Sequence, residues 1–142
     1  MVEIVQLNEA NEQALQDINS LIHQLSPRLP ECSMNLLNKM VSDQNSELWV
    51  AKDGSRIVGM ATLAVVVMPE GERAQIEDVV LDEKYRGQGL GRKLSEKLIE
   101  RAKARNVPKI TLTSNDSRVA ANMLYQKLGF VKWPTNVYQM KL

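Results

Sequence analysis

Cysteine occurs once in the 142 residues, at Cys32, and histidine once, at His23. A single cysteine excludes an internal disulfide framework and a cysteine-based zinc site. A single histidine supports neither a histidine-rich metal centre nor a Ser-His-Asp triad, so no metal is expected. An excess of one charge is missing too: Lys and Arg number 18 against 17 Asp and Glu, a formal net charge of +1. No broad field therefore steers the chain toward nucleic acid or a membrane surface. The stretch of ~18 apolar residues that a bilayer span needs is absent, and "MVEIVQLNEANEQ" has no basic segment leading into an apolar run. A cytoplasmic protein with a small or neutral partner is the expectation.

What is present is the balance of an ordinary globular chain, 44% hydrophobic and 25% charged. The length fits one domain, which at this size buries about two-thirds of its unfolded surface. Glu3 to Leu7 alternates as a first strand, with Asn8 as a helix cap. Ala14, Leu15, Ile18, Leu21, Ile22 and Leu25 form one helical stripe, broken by Pro27 and Pro30. Ser33 is placed to cap a second helix. Asp53-Gly54 reads as a hairpin turn, and Ile57 to Met68 as a central strand buried on both faces. "AQIEDVVL" reads as a fourth strand, followed by a helix striped with Leu90, Leu94, Leu98 and Ala102. A fifth strand, "KITLTS", a helix from about Ser117 to Leu128 and two last strands, "FVKW" and "NVYQMKL", complete the expectation. Together they predict one α/β domain with a mixed sheet flanked by helices.

Between the fourth strand and its helix lies "YRGQGLGRKL", with glycine at 87, 89 and 91. Free backbone N–H groups at a helix N-terminus form an anion site, and residues without side chains let the backbone close on a phosphate, with Arg86 adding charge. The dinucleotide fingerprint G-x-G-x-x-G fails at Arg92, and no glycine is followed by Lys and then Ser or Thr as a Walker A loop requires. The stretch does match R-x-x-G-x-G through Arg86, Gly89 and Gly91. On this motif, on the longer block "IEDVVLDEKYRGQGLGRKL" and on "AANMLYQKLGFVK", the chain resembles the GNAT superfamily of N-acetyltransferases.

The resemblance implies a single N-acetyltransferase domain over residues 1–142, with a mostly antiparallel sheet, using acetyl-CoA. It implies that Arg86, Gly87, Gln88, Gly89, Leu90, Gly91 and Arg92 bind the pyrophosphate, and that Val79, Val80 and Leu81 offer backbone groups to the pantetheine arm and thioester carbonyl. Glu77 corresponds to the family's general base and Tyr125 to its general acid. Many members carry Asn seven residues before that tyrosine. Here the position is Arg118, with Asn115 close by; both are candidates for coenzyme contacts, and Arg118 alternatively meets an acidic acceptor or solvent.

On the residues themselves, strand alternation puts Glu77, Val79 and Leu81 on one face and Ile76, Asp78 and Val80 on the other. Glu77 is expected to be buried, with its pKa raised toward that of a useful base, and Asp78 to be structural. On the helical wheel Ala120, Leu124 and Leu128 mark a core stripe, with Tyr125 at its edge. The resemblance implies a small-molecule or peptide amine as acceptor. The block around Glu77 looks like that of glucosamine-6-phosphate N-acetyltransferases, which makes an amino-sugar phosphate a candidate. A non-catalytic acyl-CoA-binding sensor is the alternative. Similar proteins are often dimers through their last strands, so a homodimer stays open.

Overall fold

A computed structural model describes all residues, 1–142. Strand β1 (Val2–Gln6) leads into helices α1 (Glu12–Leu25) and α2 (Met34–Ser42); then come β2 (Ser46–Asp53), β3 (Arg56–Met68) and β4 (Gly71–Leu81). A single 3-10 turn at Glu83–Tyr85 connects to α3 (Leu90–Ala104), β5 (Ile110–Leu112) and α4 (Val119–Lys127). The sheet order is β1-β2-β3-β4-β5, antiparallel except for the parallel β4–β5 pair. This is the mixed, mostly antiparallel α/β architecture expected from the sequence.

Each face of the sheet carries its own core. Ala14, Ile18 and Leu21 of α1 and Leu37 of α2 pack on Leu48, Val50, Ile57, Met60 and Val80. Leu94, Leu98 and Ala102 of α3 pack on Ala51, Val58, Ala61, Leu63, Ala74 and Ile76. The apolar run of β3 is thus buried on both sides from Ile57 to about Val65, as its lack of alternation predicts, while Val67 near its end is exposed. At the lower end of α3, Glu47, only 2% exposed, receives the guanidinium groups of Arg101 at 2.8 Å and Arg105 at 2.7 Å. Trp49 Nε1 donates to the same carboxylate at 2.9 Å. Burial works to raise the Glu47 pKa, but the hydrogen bonds from Arg101, Trp49 and Arg105 outweigh it and hold the group below its ordinary value.

Three expectations are corrected. The cap of α1 is Asn11, whose side chain accepts from Ala14 N at 2.8 Å, rather than Asn8; a few more residues are needed to turn the chain from β1 onto the sheet. Strand β4 does not alternate throughout. Thr62 pairs with Glu77 but Met60 with Val80, so Asp78 and Val79 together face the single residue Ala61 across a bulge. The bulge shifts the alternation by one, so Glu77 and Val80 share the α1–α2 face while Ile76, Val79 and Leu81 face α3.

The two last strands do not form. Residues 130–142 carry no ladder bonds, and Val131, Trp133, Val137, Tyr138 and Met140 are exposed. Strand alternation in a segment becomes a strand only against a free partner edge. Here β5 pairs over just three residues, and Pro134 removes a donor from the segment that would extend it.

Candidate active site

The site opens where β4 loses its neighbour. Strand β5 pairs with β4 only through Ala74, Gln75 and Ile76, leaving the β4 edge from Glu77 to Leu81 without a strand partner. The β4 bulge lies in this stretch, and Asp78 takes the left-handed conformation at φ 52°. A cleft of about 160 Å³ fills the gap, lined by Glu77, Asp78, Val79, Arg118 and Tyr125 among others. Two of the uncovered carbonyls are taken up by arginines: Arg118 Nη2 donates to Val79 O at 3.1 Å, and Arg86 Nε donates to Leu81 O at 3.1 Å. The Leu81 side chain lies directly over Gly59, where a Cβ would come within 2.5 Å of it. A glycine on β3 is therefore part of what positions this end of β4.

Glu77 and Asp78 both stand exposed at the cleft mouth, which corrects the expectation that Glu77 is buried. The cleft walls still remove enough water to raise both carboxyls. For Glu77 the largest cause is this desolvation and the second is the neighbouring Asp78 charge. For Asp78 desolvation alone accounts for the rise. Tyr125 is not at the edge of its helix stripe but is the one buried residue of α4, and Ala120 is exposed instead. Its ring meets Phe130 edge-on at 6.0 Å between centroids. Burial raises the Tyr125 pKa, and Arg118 beside it works in the opposite direction. The phenol is therefore held protonated at neutral pH.

Beyond Leu81, one turn of chain leads to the glycine stretch. Gly87 and Gly89 adopt φ of 77° and 80°, a left-handed backbone that other residues enter only at a cost. Gly89 is the N-cap of α3 and makes no side-chain cap bond. Backbone N–H groups from Gly87 to Arg92 donate to no backbone acceptor of the chain; Lys93, bonding to Gly89 O at 3.1 Å, is the first that does. A contiguous set of free donors at a helix N-terminus suits a phosphorylated ligand. Arg86, by contrast, is folded back onto Leu81 O.

The structure thus brings together Glu77, Val79, Arg118 and Tyr125. Asn115 does not line the cleft. Its Oδ1 accepts from Ser117 N at 3.2 Å and its backbone O from Asn122 Nδ2 at 2.9 Å, so it shapes the entry to α4. Asp78, expected from the sequence to be structural, lines both this cleft and a second cavity of about 450 Å³ under α1 and α2. The signal for it is two adjacent carboxylates between the apolar Ile76 and Val79, which fit poorly to strict alternation and well to a bulge. No helix is long and apolar enough to cross a membrane.

Comparison with known proteins gives a family and a fold. The acetyltransferase (GNAT) family model matches residues 12–130. A glucosamine 6-phosphate N-acetyltransferase of Trypanosoma brucei brucei is 41% identical over 80 residues, covering 53% of this chain and 51% of that protein. The chain spans about half the length of the curated relatives it matches. Among solved structures, a transcriptional regulator from Bacillus halodurans is 30% identical with TM-score 0.83, both chains being covered completely. A Trypanosoma brucei acetyltransferase is 28% identical with TM-score 0.78, over 100% of this chain and 99% of that one.

Proposed function

The chain belongs to the acetyltransferase (GNAT) family, and from that membership we propose that it is an N-acetyltransferase moving acetyl from acetyl-CoA to a primary amine by direct attack. The observation that carries the reading is the uncovered edge of β4. At one end of it lie Glu77 and Tyr125 in a common cleft, and beyond the other lies the loop of free N–H groups. In this proposal residues 1–142 act as one N-acetyltransferase domain.

Acetyl-CoA supplies the activated acetyl thioester. Its pyrophosphate is held by the free N–H groups of Gly87, Gln88, Gly89, Leu90, Gly91 and Arg92, the stretch that Arg86 opens with its own N–H bonded to Glu83 O. Backbone groups of Val79, Val80 and Leu81 face the pantetheine arm and the thioester carbonyl, where one well-aimed donor is worth on the order of 3 kcal/mol. Glu77 accepts the proton of the acceptor ammonium, directly or through a water, and its raised pKa suits it to that task. As the new N–C bond forms and the C–S bond breaks, Tyr125 donates its proton to the departing sulfur, and the proton that the new amide nitrogen sheds restores the phenol by way of water. Arg118 holds the Val79 carbonyl and borders Tyr125, while Asn115 acts at one remove, by shaping the turn into α4 that carries both side chains.

The acceptor is a small-molecule or peptide amine, and the Trypanosoma relative makes glucosamine 6-phosphate the first to try. The setting is cytoplasmic, with no nucleic acid, membrane or metal taking part. A homodimer belongs to the proposal, because the apolar residues of the exposed segment 131–142 have no cover in their own chain. A second reading, a non-catalytic acyl-CoA sensor, draws on the Bacillus relative's name as a transcriptional regulator.

The test is release of CoA thiol from acetyl-CoA across glucosamine 6-phosphate, polyamines, amino acids and short peptides, with calorimetry of acetyl-CoA binding on the same sample. Turnover with one class supports the transferase. Binding without any turnover supports the sensor, and absence of binding refutes the loop assignment.

A further inference from the structure

The larger cavity carries information about the acceptor that the likeness to relatives does not. It lies between α1, the 29–32 loop, α2 and the sheet, and it ends at Asp78, the residue it shares with the cleft of Glu77 and Tyr125. Its walls are mostly apolar and include Ile22, Met40, Leu48 and Met60. At its mouth Leu29 and Leu36 are 40% and 53% exposed, an apolar rim with nothing over it. The loop that carries part of this rim is pinned: Asn19 Nδ2 donates to Cys32 O at 3.0 Å, and Cys32 N donates to Asn19 Oδ1 at 2.7 Å. The cavity is therefore a held shape rather than a gap between loose segments.

Its charges are mostly of one sign. Glu31, Asp43 and Asp78 border it against Lys39 alone, and of the three carboxylates only Glu31 meets a basic side chain, His23 Nε2 at 3.2 Å. A phosphorylated sugar would bring a dianion and several hydroxyls to a wall that offers one ammonium and many methyl groups. A protonated amine with an apolar body matches both features, its body against the walls and its ammonium at Asp78.

On this geometry, and resting on the transferase reading above, we propose that the acceptor is an unphosphorylated primary amine with an aliphatic or aromatic body. Its body lies in the α1–α2 cavity, and Asp78 receives its ammonium before Glu77 removes the proton. Asp78 is thereby a binding residue for the acceptor, and Leu36 a specificity residue at the rim.

The experiment compares CoA release with ethylamine, butylamine, hexylamine, phenethylamine and glucosamine 6-phosphate, with acetyl-CoA binding measured separately by calorimetry. Burial of each added methylene should raise kcat/KM about three- to fourfold until the cavity is filled. Glucosamine 6-phosphate should fall at least about tenfold below hexylamine, the consequence of setting a phosphate among carboxylates. Leu36→Asp, a change at an exposed position, should flatten the chain-length dependence and leave acetyl-CoA affinity unchanged. Asp78→Asn should raise KM for the amine and leave KM for acetyl-CoA where it was.

Turnover that is independent of chain length, or best with glucosamine 6-phosphate, overturns the inference and leaves the transferase standing. Acetyl-CoA binding with no turnover in either series overturns it as well. Loss of acetyl-CoA binding itself removes the transferase reading beneath it.

Discussion

The two ends of the site are built in opposite ways. The loop assigned to the coenzyme is one unbroken stretch, Gly87 to Arg92, whose working groups are free backbone N–H donors and whose glycines permit its shape. The acceptor cavity is assembled from side chains of α1, a loop, α2 and three strands, brought together only by the fold. A ligand common to a whole family can be met by backbone, which is the same whatever the side chains. A ligand peculiar to one protein must be met by side chains, and those vary. This contrast makes distinct predictions for the two ends.

The largest effect should come from the chemistry between them. Glu77→Gln is expected to lower kcat by about 10²–10⁴-fold, the usual contribution of a positioned general base, with acetyl-CoA affinity unchanged in calorimetry. A loss of coenzyme binding of the same size would erase the separation of the two ends. Tyr125→Phe should lower kcat in the same way, by a smaller factor because water can protonate a thiolate.

Next in size is a change to the frame that both ends share. Glu47→Ala leaves Arg101 and Arg105 without their carboxylate, at a cost of about 3 kcal/mol in urea unfolding, the low end for a broken buried pair because the arginines keep some access to water. Both KM values should stay as they were, since Glu47 lies at the far end of α3 from the loop. Its own pH signature follows from the direction of its shift. A carboxyl held below its ordinary pKa stabilises the fold above that ordinary value, and the contribution is lost as pH falls through the lower, folded value.

Gly89→Val tests the backbone end alone. The left-handed φ of 80° costs a residue with a side chain about 1–2 kcal/mol. That strain should appear as roughly a tenfold loss of acetyl-CoA affinity, while alkylamine selectivity at saturating acetyl-CoA is retained. A change in amine selectivity would mean that the two ends are not independent.

The smallest effect concerns stability and pH. Glu77 and Asp78 have raised pKa values in the fold, against ordinary values of 4.5 and 3.8. The unfolded chain therefore ionises first, and stability falls as pH rises from the ordinary to the raised values, then levels off. Glu77→Gln should accordingly raise the thermal midpoint slightly at pH 7 while removing activity, and remove part of this pH dependence. A lowered midpoint would show that Glu77 is a structural carboxylate.

Much of the fold was legible because it follows from local rules. The α3 stripe of Leu90, Leu94, Leu98 and Ala102 is buried as its spacing requires, Ser33 caps α2 through its hydroxyl on Leu36 N, and Gly54 turns the β2–β3 hairpin with φ 61°. Failures occurred where a residue's fate depends on a distant partner. The segment after Gly129 alternates like a strand but finds no edge, and Tyr125 moved from stripe edge to interior because Phe130 folds back against it.

By itself the sequence determined the helix stripes, the central buried strand, the turn residues and the glycine loop, because each depends on conformational preferences and periodicities within a few residues. Only the tertiary structure decided the β4 bulge that brings Val80 onto the same face as Glu77, the divergence of β5 that opens the cleft, and the apolar, acidic cavity behind Asp78. Those features arise from the register and packing of segments up to about sixty residues apart, such as Ile18 of α1 with Asp78 across one cavity, and no local pattern encodes which of them will meet.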